Sequence, residues 1–337
     1  MYTQIQITNF RGFRDITVGP LQRVNLLVAK NNVGKTAFLE ALTLLVNGKG
    51  IIQSFPAMLR SSNHPEQGSE FWSWLFFDRR LDSIIKIEVD QDDRKNKETV
   101  LLQATLAKEQ KNPSGFAHVH SFQVENIQYN LWLRTEPEMN NQNTPKEKND
   151  LTGGVKTFST SPLNSIEEAR KYHKVMLKKN GEEKVQALLR VVEPRLIKIR
   201  PALIGNQPSI YADIGLSEQI PVTQLGQGFC RLLSIYSSLF LSEAKVFLID
   251  EMENGIHYSA LEQVWRGIAE VAEQEGVQVF ATTHSWECIA AAEKVFSKRQ
   301  PYDFALHRLQ IVKGKVEVKT YDKDTLATSI ESKLEIR

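Results

Sequence analysis

An α/β fold with a mixed sheet and helices on both faces is predicted for this chain of 337 residues by three observations. An apolar run of strand length, Val24 to Val28, leads through Ala29-Lys30-Asn31-Asn32-Val33-Gly34-Lys35-Thr36 into a helix with apolar residues at three and four spacing, Thr36 to Val46. A second apolar run, Val246 to Ile249, ends in two adjacent acids, Asp250 and Glu251. From there helix (Ser259 to Gln274), strand (Val277 to Ala281) and helix (Trp286 to Phe296) alternate, the order of a parallel sheet with helices packed on it.

The remaining elements follow in chain order. Tyr2 to Thr8 alternates polar and apolar residues and reads as a strand. From about Phe71 to Leu133 the pattern changes to short strands, Ile84 to Val89, Val100 to Ala104, Val119 to Val124 and Tyr129 to Leu133, separated by polar turns, which predicts an antiparallel lobe. Its aromatic cluster, Phe71 to Phe77, reads as core. Glu136 to Asp150 has no periodicity and reads as a loop or linker. Ser165 to Lys179 and Glu182 to Val192 form a helical hairpin about Asn180-Gly181, with Pro194 as its stop. A helix from Phe229 to Leu241 and a strand pair, Phe304 to Val312 and Lys315 to Tyr321, complete the set.

The expected organisation is therefore a split core. Residues 1–60 supply its N-terminal half, 61–164 the antiparallel lobe with its polar loop, 165–200 the helical hairpin, 201–300 the C-terminal half, and 301–337 the strand pair and tail.

Forty-two Lys and Arg against forty Asp and Glu leave a net charge of +2, so no global field draws the chain to nucleic acid or an anionic membrane. Basic surface must be local. Between Arg170 and Arg200 ten Lys or Arg face three Glu, the best candidate for a phosphate-backbone contact, set against the plainer reading of a solvated helix face. Cys230 and Cys288 are too few for a disulfide framework and lack zinc-site spacing, which points to a reducing compartment. No run of eighteen apolar residues exists and no signal-peptide layout opens the chain, so a cytoplasmic protein without membrane spans is expected.

Strand, loop and helix around Gly34-Lys35-Thr36 are the context in which backbone N–H groups converge on phosphates at a helix N-terminus. Asn31, Asn32, Val33, Gly34, Lys35, Thr36 and Ala37 are the candidate binding residues. Lys35 suits the β and γ phosphates of a nucleotide, and the Thr36 hydroxyl suits magnesium. Ala29 stands where the motif has its first glycine; if that position needs positive φ, alanine costs about 1 kcal/mol there. At the other apolar strand, Asp250 is the candidate magnesium ligand and Glu251 the candidate base for an attacking water.

The set NFRGF (Asn9 to Phe13), NNVGKT, LGQGFCR (Leu225 to Arg231), LIDEMENGIH (Leu248 to His257) and TTHS (Thr282 to Ser285) resembles the ABC-type ATPase heads of SMC proteins, RecF and above all the OLD-family ATPases. That resemblance spans nearly the whole chain and implies a P-loop NTPase head of ABC type binding ATP and Mg2+. It implies that Leu225 to Arg231 is a signature loop, with Gly226, Gln227 and Gly228 acting across a head-to-tail dimer on the γ-phosphate of the other subunit. It further implies that Glu253, Asn254 and Gly255 lie at that interface, that His284 contacts the γ-phosphate, and that Arg11 approaches the nucleotide. Two flanking glycines let backbone come close to phosphate oxygens, although Gly226 replaces the usual serine and removes one hydroxyl donor. Gln53 is the available glutamine for a Q-loop, and nothing around it is specific.

A hairpin of about thirty residues stands where SMC heads carry a long coiled coil. No TOPRIM nuclease follows the strand pair, so a nuclease is expected as a separate effector. The implied function is an ATP-hydrolysing switch that forms a homodimer on ATP and controls a partner protein or DNA, the latter through residues 170–200, in DNA repair or in defence against foreign DNA. The rivals are a slow-turnover nucleotide-sensing module, suggested by Ala29 and Gly226, and a transporter ATPase subunit.

Overall fold

The computed structural model describes residues 1–47, 73–92, 98–106, 117–124, 127–134, 154–158, 165–204 and 207–336. Gln53, Phe71, Trp72 and the stretch from Glu136 to Asp150 lie outside these described residues. The chain divides into two compact units, Met1–Val155 with Ala305–Asp322, and Lys156–Phe304 with Lys323–Glu335.

In the first unit β1 (Tyr2–Phe10) turns at Arg11 and Gly12 into β2 (Phe13–Val18), and β3 (Val24–Val28) leads through the glycine-lysine loop to α1 (Lys35–Asn47). Four more strands follow, β4 (Ile84–Gln91), β5 (Glu98–Leu106), β6 (Ala117–Val124) and β7 (Ile127–Arg134). They join β1 and β2 in one antiparallel sheet of order β2-β1-β4-β5-β7-β6. The antiparallel strands expected after Phe71 thus extend the sheet that the N-terminal hairpin begins. Alternation explains the register: Ile5 pairs with Val89 and Ile7 with Ile87, all four side chains are buried, and α1 packs against β1, β4 and β5.

The aromatic cluster is core only in part. Leu75 and Phe76 are buried, whereas Trp74 is 54% exposed. The Arg79 guanidinium lies 4.7 Å from its ring centre, so the large apolar face is covered by a cation instead of by core.

The second unit opens within β8 (Val155–Phe158), at Lys156, and continues with the hairpin of α2 (Ser165–Leu177) and α3 (Gly181–Leu189). A small antiparallel sheet follows, β9 (Lys198–Ile204), β10 (Gln207–Asp213) and β11 (Ile220–Pro221). Then come α4 (Gln227–Leu241), β12 (Val246–Ile249), α5 (Leu261–Glu275), β13 (Gln278–Thr283) and α6 (Trp286–Phe296). Strands β12 and β13 are parallel and wholly buried, β12 as an uninterrupted apolar run and β13 with Gln278, Thr282 and Thr283 among its buried side chains. The antiparallel pair β14 (Phe304–Val312) and β15 (Lys315–Tyr321) falls in the first unit from Ala305 onward, beside β3, and α7 (Lys323–Glu331) returns to the second. Among the described residues no helix is long and apolar enough to cross a membrane.

The hairpin spends much of its positive charge inside the unit. Lys171 is buried, 2.7 Å from Glu168 and 3.0 Å from the Ser234 hydroxyl, and Lys178 donates to the Phe240 carbonyl at the C-terminal end of α4. Arg190 donates to the carbonyls of Leu196 and Ile197, Arg195 pairs with Glu193, and Lys198 lies 3.6 Å from Glu182. Arg170, Lys174, Lys179, Lys184 and Arg200 are exposed, and so are Lys178, Arg190 and Arg195 beside their partners.

Candidate active site

In the first unit, β3 holds the phosphate-binding candidate by burying all five of its side chains and Ala29 after them. The left-handed residues of the loop are Asn32 (φ 62°) and Gly34 (φ 124°), and Ala29 is not among the positive-φ positions. The strain expected at Ala29 is absent because the chain turns later, at an asparagine and a glycine that tolerate the conformation. The Lys35 ammonium folds over the loop, 2.7 Å from the Ala29 carbonyl and 3.3 Å from that of Lys30. Lys30, Asn31 and Asn32 are exposed, Val33 is buried, and Gly34, Lys35, Thr36 and Ala37 are half-buried at the opening of α1.

The NFRGF segment is built onto this loop. A Cβ at Gly34 would fall 2.6 Å from the Phe13 ring. Asn9 and Arg11 adopt positive φ, the Asn9 amide donates to the Ile84 carbonyl, and Arg11 Nε lies 3.0 Å from Glu40 Oε2, one turn into α1. Arg11 is thus drawn to the helix that starts at Lys35.

In the second unit, β12 delivers Asp250 as a buried carboxylate, 6% exposed. Its Oδ1 accepts from the Thr282 hydroxyl at 2.6 Å, and the same hydroxyl oxygen accepts from the Glu251 N–H at 2.8 Å. The Asp250 N–H donates to the Phe158 carbonyl and the Met252 N–H to that of Thr282, so both sides of the acidic turn are tied down. Glu251 itself has φ 53° and is half-buried. Arg231 reaches from α4 to donate to the Asp250 carbonyl. Burial draws its guanidinium below the ordinary arginine value, opposed by the charges of Asp250, Glu251 and Glu253.

The signature-loop candidate is less uniform than its glycines suggest. Gly226 has φ 92° and ψ 165°, a region essentially closed to other residues, so glycine is what this backbone requires where a serine usually sits. A Cβ there would meet nothing within 4 Å. Gly228, by contrast, is buried: a Cβ on it would lie 1.8 Å from the Gly255 carbonyl oxygen. Its missing side chain serves close packing against the 253–255 loop. Asn254 is exposed, and its N–H donates to the Glu251 carbonyl. His284 directly follows β13, with its side chain 56% exposed and 3.2 Å from Glu253.

Sequence reasoning missed Arg231 and Thr282 as partners of Asp250. A single arginine inside an otherwise apolar helix and a threonine ending an apolar strand were the available signals.

A model of the family described as "AAA domain, putative AbiEii toxin, Type IV TA system" matches residues 24–289. The chain belongs to this family. Among curated proteins it is similar to an ATP/GTP phosphatase of Helicobacter pylori, 23% identical over 90% of each chain. Among solved structures it matches an Smc head bound to the C-winged helix domain of ScpA, with TM-score 0.61 and 12% identity over 98% of this chain and 99% of that one. It also matches an Smc head domain with an extended coiled coil bound to the C-terminal domain of ScpA, from Pyrococcus furiosus, with TM-score 0.58 and 11% identity over 98% of each chain. This AAA-family protein thus has the fold of an SMC head and is a P-loop ATPase.

Proposed function

We propose that this ATPase is a molecular switch that closes into a homodimer on ATP and passes that state to a partner protein or DNA, in DNA repair or in defence against foreign DNA. The supporting observation is the exposed pair Gly226 and Gln227 at the N-terminal end of the 15-residue α4. A helix of that length presents unpaired N–H groups and the positive end of its dipole there, suited to an anion approaching from outside. In this reading the anion is the γ-phosphate held by a second copy, with Gly228 and Asn254 shaping the same surface.

Each copy would bind ATP through Asn31, Asn32, Val33, Gly34, Lys35, Thr36 and Ala37, with Lys35 on the β and γ phosphates and Arg11 beside them. Magnesium in such a site takes one or two protein oxygens and keeps several waters. A hydroxyl and a carboxylate suffice, and the Thr36 hydroxyl with the buried, Thr282-oriented Asp250 carboxylate fits that donor set. Bound magnesium would offset charge on the phosphates. Glu251 would then take the proton of the attacking water, and His284 would contact the terminal phosphate.

SMC heads are seen with domains of ScpA bound, and we assign this ATPase a separate effector, such as a nuclease, on that pattern. Both cysteines are free thiols, in keeping with a cytoplasmic setting. An unstrained Ala29 takes away one motive for the slow-turnover reading, while the hydroxyl donor missing at Gly226 leaves the other in place. Light scattering and phosphate release with Mg-ATP and Mg-GTP test the switch. A doubled mass together with turnover, both lost in Lys35→Ala, is the expected result. An unchanged mass in every nucleotide state would overturn it.

A further inference from the structure

The loop after Glu251 carries an acid that none of these roles uses. The Glu253 side chain is turned inward, 14% exposed, toward the end of β13. Its Oε1 meets His284 twice, accepting from the main-chain N–H at 3.1 Å and lying 3.2 Å from ring Nδ1. Its Oε2 is buried with no hydrogen-bond partner among the described residues.

A carboxylate accepts and does not donate, so Oε1 holds the His284 main-chain N–H and presents negative charge to Nδ1 at 3.2 Å. One oxygen bonded to the backbone and lying beside the ring nitrogen of the same residue favours one ring orientation, as acids behind metal-bound histidines do. Nε2, across the ring, becomes the atom that faces outward. Capping of α6 does not account for the contact, because Ser285 already accepts from the Cys288 N–H at 3.1 Å. Nor is the contact a surface ion pair, since the acid is inside while the His284 side chain is 56% exposed.

We propose that Glu253 is the positioning residue of His284, holding the imidazole so that Nε2 alone meets the terminal phosphate of the nucleotide. The inference rests on the reading of His284 as the phosphate-contacting histidine. It gives Glu253 a task within its own subunit, in place of one at the dimer interface.

Steady-state hydrolysis by the full chain tests it with His284→Ala, Glu253→Ala, Glu253→Gln, Glu253→Asp and the double variant of Glu253→Ala with His284→Ala. His284→Ala should lower kcat by about 100-fold, and Glu253→Ala by about 10-fold with little change in KM, because a positioning contact acts on the transition state. Glu253→Gln should keep most of the activity, its amide oxygen still accepting the main-chain N–H and facing Nδ1. Glu253→Asp, one methylene short, should fall well below it; a role through charge alone would give the reverse order. The double variant should match His284→Ala within about twofold, since residues acting as a unit are not additive. Full additivity, or wild-type kcat in Glu253→Ala, overturns the inference. If Glu253→Ala fails to fold, the Gln and Asp pair decides alone, and Asp at or above Gln overturns it. Wild-type kcat in His284→Ala would instead overturn the reading of His284 beneath it.

Discussion

The Phe13 ring occupies the space that any side chain at Gly34 would need, with a Cβ at 34 falling 2.6 Å from two of its atoms. The phosphate-loop glycine is therefore fixed twice, by its φ of 124° and by an aromatic residue of the N-terminal hairpin. Gly34→Ala should cost about 1–2 kcal/mol from backbone strain alone and lower nucleotide affinity at least tenfold. Adding Phe13→Leu should recover part of the loss by removing the collision and leaving the strain. Nucleotide titration beside thermal unfolding of both variants checks this, and no recovery in the double variant would mean that strain alone sets the effect.

The basic hairpin gives a separable test of DNA contact. Lys178 is committed to the Phe240 carbonyl and Lys171 to Glu168, so reversing either charge would perturb the fold. Arg170, Lys174 and Lys179 are exposed. Their replacement by glutamate should reduce the slope of log affinity against log salt by about one unit per lost phosphate contact. The measurement is duplex binding at several salt concentrations, and an unchanged slope would return these residues to a solvated helix face.

His307 provides a pH test that bears on the fold alone. It is fully buried, with Nδ1 2.9 Å from the Thr320 hydroxyl, and burial pushes its pKa down from 6.5 to about 3. The folded protein thus keeps the ring neutral where the unfolded chain takes a proton. Its contribution to stability is whole above about pH 6.5 and is lost as pH falls from there toward about 3, at about 1.4 kcal/mol per pH unit. Between pH 6.5 and 5 the wild type should lose about 2 kcal/mol more than His307→Asn. Urea unfolding at the two pH values measures the difference, and parallel losses would show that the ring titrates normally.

Much of this fold is legible in the sequence where local pattern and burial agree. Val24–Val28, Trp286–Phe296, Phe304–Val312 and Lys315–Tyr321 have in the structure the bounds that their patterns predict, the three strands as short apolar or alternating runs and the helix as an amphipathic stretch capped by Ser285. The contacts that finish the candidate site are not legible in the same way. Arg231 lies 19 residues from Asp250 and Thr282 lies 32 from it, so neither contact leaves a local period. The left-handed turn at Asn32, in place of strain at Ala29, is likewise a backbone property that residue types only permit. The close packing of Gly228 on Gly255 joins the first turn of α4 to the 253–255 loop, a contact that leaves no local pattern.

That packing also changes which substitution probes the dimer, and so shapes the test of Glu251. Glu251→Gln keeps size and hydrogen bonding but removes the base, so turnover should fall about 100-fold or more while ATP still binds. With hydrolysis blocked, the ATP-bound dimer should accumulate, and the variant should run at twice the wild-type mass when ATP and magnesium are added. Gly228→Asp is the obvious disrupter, but its Cβ would strike the Gly255 carbonyl at 1.8 Å and damage the loop inside its own subunit. Gln227→Glu is cleaner, because Gln227 is exposed and a carboxylate there repels a phosphate at short range without a local clash. Combined with Glu251→Gln it should return the protein to the lower mass while each copy still binds ATP through its own phosphate loop. Wild-type turnover in Glu251→Gln would remove that residue as the base. An inactive variant that stays monomeric with ATP would leave the phosphate loop in place and rule out closure by a second signature loop.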